Sequence, residues 1–190
     1  MSKFFTADEM DEMERIVSSY LNKNNITLTP PVDIFRLATD LGFDVRAAAL
    51  PREVDGMILV DETAERLADF RSNKVIAYNS SSDINKKKFI VAHELAHYIS
   101  QKNKANGKSQ QIIVAARDLV GNSSRSTKEQ RMDYMAAALL MPRDDILKRF
   151  DLDKDHIRET LATYYRVDSI LAERRIEEVK KCQTPRDSRP

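Results

Sequence analysis

The sequence predicts an α+β fold, mostly helical, with a small antiparallel sheet of about three strands. Three observations carry this. Apolar residues recur at helical spacing over most of the 190 residues, and only four glycines interrupt them. Between residues 43 and 79 that spacing disappears, and short apolar stretches alternate with turn residues. The connections between those stretches are short, which favours antiparallel neighbours.

Thr6-Ala-Asp-Glu9 reads as a capping box, and Met10, Met13, Ile16, Val17, Tyr20 and Leu21 continue it as one apolar helical face. Asn22 to Asn25 is a polar break. Pro30-Pro31 is expected to start a second helix, with Ile34, Phe35, Ala38 and Leu41 as its buried stripe and Gly42 as its C-terminal cap. The expected strands are Phe43 to Arg46, Gly56 to Val60 and Lys74 to Asn79, punctuated by Pro51, Asp55-Gly56 and Ser72-Asn73. Asn79 to Asp83 closes the last strand and caps a helix from Ile84 to about Gln101. Lys102 to Ser109 reads as a loop, Gln110 to Val120 as a helix and Gly121 to Ser126 as another loop. Thr127 then opens a helix through Leu140, and Pro142 to Phe150, His156 to Tyr165 and Ser169 to Lys180 are shorter helices. The organisation expected is a main domain over 1–150, a helical pair over 151–181 packed on it, and a loose polar tail over 182–190.

A net charge of +1 on 32% charged residues lacks the basic excess of a general nucleic-acid footprint, so direct nucleic-acid binding is not expected. No apolar run reaches membrane-spanning length, and the N-terminus has no apolar signal core. The single cysteine, Cys182, precludes an intrachain disulfide framework. A cytoplasmic protein is expected.

The chemistry concentrates at His93-Glu94-Leu95-Ala96-His97. On a helix, residues four apart share a face, so both imidazoles can reach one metal ion. Glu94 sits beside the first histidine and can take a proton from a water that attacks a carbonyl. That is the layout of a zinc hydrolase, in which three protein ligands leave a fourth position open. Two of the three histidines of the chain fall in this motif. The flanks Phe89, Ile90, Ala92, Leu95, Ala96 and Ile99 are apolar, as a buried helix requires.

The third ligand must come from elsewhere: His156, or a carboxylate on the buried face of another helix. Met132, Met135, Ala136, Leu139 and Leu140 form a stripe, and Glu129 and Asp133 lie three residues before Met132 and Ala136, on or beside that face. Acids placed there are costly unless paired or bound to metal. Glu129 suits the third ligand, and Asp133, one turn on, could accept the free N–H of a ligand histidine. Without the histidine motif, Glu129 would read as a solvated first-turn acid favoured by the helix dipole.

His93-Glu-Leu-Ala-His97 followed by Glu129-x-x-x-Asp133-x-Met-Ala-Ala-x-Leu-Leu-Met-Pro142 resembles the ImmA/IrrE metallopeptidases, whose second helix has the form E-x-x-A-N-x-F-A-A-x-L-L-M-P. The resemblance extends from about residue 10 to 180 and takes in Pro31-Val-Asp-Ile34, the small sheet, and Tyr165-Arg-Val-Asp-Ser169 leading to Arg174-Arg175. It implies a zincin-like fold, zinc at His93, His97 and Glu129, and Glu94 as general base. It also implies a regulatory endopeptidase whose substrate is a helix-turn-helix transcriptional regulator encoded nearby, controlling a mobile element or a stress or toxin–antitoxin operon. Met132, Asp133 and Met135 stand where the family usually has alanine, asparagine and phenylalanine. With no helix-turn-helix domain ahead of the peptidase part, the DNA-binding partner is expected to be a separate protein.

His156, in a charged first turn, reads as a surface histidine, and Tyr78, Tyr98 and Tyr134 are open candidates for an oxyanion donor. Leu161 to Arg175 has the pattern of a helix-turn-helix, but Glu173, Glu177 and Glu178 offset Arg174, Arg175 and Lys180, so it reads as a packed helical pair. The alternative to a peptidase is a non-catalytic zinc-containing binding or sensor protein. Such a structural site is normally closed by four ligands, and Cys182 is remote in sequence.

Overall fold

A computed structural model describes residues 5–61, 63, 67, 70–104, 111–117 and 126–183. The elements in chain order are α1 (Ala7–Lys23), α2 (Ile34–Asp40), β1 (Asp44–Ala48), β2 (Val54–Asp61), β3 (Lys74–Asn79), α3 (Ile84–Lys104), β4 (Gln111–Arg117), α4 (Thr127–Leu140), α5 (Arg143–Arg149), α6 (Ile157–Tyr165) and α7 (Ser169–Gln183). The class is α+β and mostly helical, as the sequence indicates. Parts of the loops expected at 102–109 and 121–126, and of the tail at 182–190, lie outside the described residues.

The helices begin where local chemistry satisfies their free N–H groups. Thr6 and Glu9 form the capping box of α1. α2 starts later than Pro30-Pro31 suggested, because Asp33 accepts from the Arg36 amide and fixes the first turn at Ile34. Its far end turns at Gly42, whose φ of +86° suits glycine. Asp83 accepts from the amides of Asn85 and Lys86 to open α3, and the Ser126 hydroxyl accepts from the Glu129 amide to open α4.

The sheet corrects two expectations. It has four strands in the order β1-β3-β2-β4, and β1 runs parallel to β3, whereas β2 is antiparallel to both β3 and β4. The parallel pair follows from where β3 inserts. β1 and β2 are joined by a short connection and run in opposite directions, so a strand that slots between them must be parallel to one. Asn79, at the end of β3, locks that insertion: its amide donates to the carbonyls of Leu50 and Pro51 in the β1–β2 connection and of Val54 at the start of β2. The fourth strand replaces the helix expected over 110–120. Ile112-Ile-Val-Ala-Ala116 is a short apolar run with neither period, and the open edge of β2 decides its conformation, pairing from Val54↔Arg117 to Asp61↔Gln111.

α3 is the central helix. Every residue from Ile90 to Ile99 is buried, because α3 is covered by the sheet, by α1 and by α4. α4 is likewise buried from Met132 to Leu140. These two helices pack side by side, so polar side chains on their facing surfaces meet inside the core. α6 and α7 pack on each other, and α7 also contacts α1.

Candidate metal centre

α3 contributes His93, Glu94 and His97, and α4 contributes Glu129 and Asp133. The two imidazoles turn their Nε2 atoms toward each other, 3.1 Å apart, and Glu129 Oε2 lies 3.1 Å from His93 Nε2 and 3.3 Å from His97 Nε2. These three residues form a group that could hold a metal ion, each offering one ligand atom within 4.8 Å of the others. On its far side, His93 Nδ1 lies 2.9 Å from Asp133 Oδ1. A carboxylate there accepts the Nδ1–H, which would fix the tautomer that presents Nε2 to a bound metal. His97 Nδ1 is buried without a hydrogen-bond partner among the described residues. The third histidine, His156, is exposed at the start of α6 and does not belong to the group.

Burial works against a charge on His93, but the bonds to Asp133 and Glu129 outweigh it and raise its pKa to about 9. Burial pushes His97 down. Hydrogen bonds from His93 and then His97 hold Glu129 well below the usual carboxylate range. Glu94 is fully buried, both its oxygens lack a hydrogen-bond partner among the described residues, and burial pushes its carboxyl up to about 8.

Space for that carboxylate comes from Gly56 in β2. A Cβ there would lie 2.3 Å from Ile90 Cγ2 and 3.3 Å from Glu94 Oε1. The sequence alone reads Gly56 as the start of a strand and, with Asp55, as a turn signal. The available signal was a glycine inside an otherwise apolar strand, which marks a close approach of backbone to a neighbour. Gly56→Ala is expected to destabilise the fold by about 1–3 kcal/mol through overpacking, read as a lowered midpoint in urea with an unchanged slope.

The tyrosines divide. The Tyr134 hydroxyl donates to Glu14 Oε1 of α1 at 3.0 Å and so is committed there. Tyr98 is buried with its ring edge-on to Tyr20 and Phe43. Tyr78 is partly buried against Phe35.

Residues 38–177, well over half of the chain, match the profile of the IrrE N-terminal-like domain, peptidase family M78. The chain belongs to this family of metallopeptidases. No curated protein matches it. Family membership implies a protein substrate, and no helix among the described residues is long and apolar enough to cross a membrane.

Asp133 is open to a direct check. If it orients His93, Asp133→Ala is expected to weaken metal binding about 10- to 100-fold. Asp133→Asn, which keeps an oxygen acceptor and restores the residue usual in the family, is expected to lose much less. Competition with a chromophoric chelator measures both.

Proposed function

We propose that the chain is a zinc-dependent endopeptidase in which His93, His97 and Glu129 hold the metal, Glu94 is the general base and Asp133 orients His93. The observation that carries this reading is the convergence of three ligand atoms beside a buried, partnerless carboxylate. Glu129 and Asp133 face the two imidazoles with Glu94 beside them, an excess of acidic groups that favours a cation. The two-nitrogen, one-oxygen donor set suits zinc.

Zinc at such a centre supplies Lewis-acid polarisation of the scissile carbonyl and brings the pKa of a water toward neutrality. Glu94 does the proton work. Its carboxylate takes a proton from the attacking water and returns it to the departing amine, so the buried group cycles between charged and neutral forms. Its preference for the protonated form in the apolar wall of Gly56 and Ile90 favours the first of those transfers.

The substrate on this reading is a helix-turn-helix transcriptional regulator encoded nearby, and its cleavage releases a mobile element or a stress or toxin–antitoxin operon in the cytoplasm. The support is the resemblance of the paired motifs to regulatory members of the family. Arg175 is fully buried, Arg174 pairs with Glu178, and Lys180 pairs with Asp153, so the cations of the helix-turn-helix-like tail are largely used within the protein. Purified protein incubated with the neighbouring regulator is expected to cleave it with zinc, and to fail with chelator or as Glu94→Gln. Regulation that persists undiminished in Glu94→Gln would overturn the reading.

A further inference from the structure

Between the two helices that carry the cluster, a cavity of about 270 Å3 opens on the side of His97. His97, Ser100, Gln101 and Lys104 line it from one face of α3, at spacings of three, four and seven residues, and Lys128 and Met132, one turn apart, line it from α4. It is smaller than the roughly 300–1,000 Å3 of small-molecule sites and matches a single side chain better. His97 forms part of its wall, so whatever fills the cavity also touches the imidazole of the candidate centre. Lys128 directly precedes Glu129, and its charge is felt at His97.

The lining has a definite chemistry. Lys104 and Lys128 are exposed, and neither pairs with a carboxylate among the described residues. Ser100 and Gln101 add a hydroxyl and an amide, and Met132 supplies an apolar floor. Two cations with no carboxylate paired to them among the described residues, beside a methionine, complement a carboxylate carried on one or two methylenes.

We infer that this cavity is a specificity subsite for a glutamate or aspartate of the substrate polypeptide. Lys104 and Lys128 clasp its carboxylate, and Met132 packs against its methylenes. The inference rests on the peptidase reading of the cluster. An extended chain advances at most about 3.3–3.6 Å per residue, and Lys128 is the chain neighbour of Glu129, so the selected acid lies within about three residues of the cleaved bond. An amide of the same shape gains nothing from the lysines, which makes the contrast between acid and amide diagnostic.

The test has two arms, each run on the full chain loaded with zinc. In the first, a synthetic library of random decapeptides is digested and the cleavage sites are read by mass spectrometry. Glu and Asp are expected to be enriched severalfold at one position near the cleaved bond, with Gln and Asn not enriched. The charge-reversed variant K104E/K128E is expected to move the preference to Lys and Arg at that position. In the second arm, Glu94→Gln protein binds fluorescent alanine hexapeptides carrying one Glu, Gln or Lys. The Glu peptide is expected to bind at least about fivefold tighter than the Gln peptide, a ratio that K104Q/K128Q abolishes. Circular dichroism establishes that each variant is folded. Cleavage without acid enrichment, or enrichment that survives charge reversal, overturns the subsite and leaves the peptidase reading standing. No cleavage together with a lysine-dependent Glu preference overturns the peptidase reading, and with it the role in cleavage specificity, and leaves a cavity that binds acidic side chains. Neither cleavage nor preference overturns both.

Discussion

Replacing Glu94 with glutamine is expected to lower the rate of proteolysis about 10²- to 10⁴-fold, the range that a positioned general base contributes, while metal content is unaltered. Glutamine keeps the size and one oxygen of glutamate, so the packing against Gly56 and Ile90 survives. It cannot accept a proton, so the chemical step alone is lost. Metal analysis and cleavage of the neighbouring regulator, run on the same preparation, check both halves. A variant that cleaves at more than a tenth of the wild-type rate would remove Glu94 from the mechanism.

The same substitution makes a stability prediction with a definite sign. Burial raises the Glu94 pKa from 4.5 to about 8. Below pH 4.5 the proton is bound in both folded and unfolded chains, and the group contributes nothing to pH dependence. Between 4.5 and about 8 the unfolded chain releases its proton while the folded chain keeps it, so stability falls as pH rises through that window. Glutamine has no proton to release. In metal-depleted protein, Glu94→Gln is therefore expected to match wild type in Tm near pH 4.5, and to gain an advantage that grows to about pH 8 and then levels off. His93 titrates in both proteins, and its principal partners, Asp133 and Glu129, are present in both, so the difference reports chiefly on Glu94.

The part of this centre that is local was legible in the sequence. His93, Glu94 and His97 are linked by helical spacing alone, α3 opens at the cap that Asp83 announces, and α4 opens at Thr127 as its apolar pattern indicates. Glu129 and Asp133 could be placed because acids beside an apolar stripe demand a partner. What stayed hidden depends on contacts between distant segments. β4 is a strand because β2 offers it an edge, and β1 is parallel to β3 because Asn79 binds the β1–β2 connection. Neither fact has a signature in the strand concerned. Gly56 and the lysine-lined cavity are of the same kind, since each matters only through what the fold sets against it.

Arg175 shows this most sharply, because the sequence reads it only as one of several cations offset by neighbouring acids, and its role lies in the core. Replacement by methionine is expected to cost up to about 3–5 kcal/mol, the penalty for leaving partly buried acids without their buried cation. The guanidinium is fully buried. Its Nε donates to the Met141 carbonyl at 3.0 Å, Nη2 donates to Glu14 Oε1 at 2.6 Å, and Nη1 lies 3.5 Å from Glu178 Oε2. It also stacks over Tyr134, 5.2 Å from the ring centre, and Tyr134 donates to the same Glu14 oxygen. Burial opposes the charge, and the facing acids, Glu14 first, outweigh it and keep the group ionised. One side chain of α7 thus ties α1 to the C-terminal end of α4, the helix that holds Glu129 and Asp133. Arg175→Lys has the charge but not the fork, so it is expected to recover only part of the loss. R175M combined with Glu14→Gln is expected to be more stable than R175M alone, because the orphaned carboxylate is gone. Urea denaturation measures all three. If R175M costs less than about 1 kcal/mol, this contact is not what holds α4 in place, and the position of Glu129 must rest on the apolar packing of α4 against α3 alone.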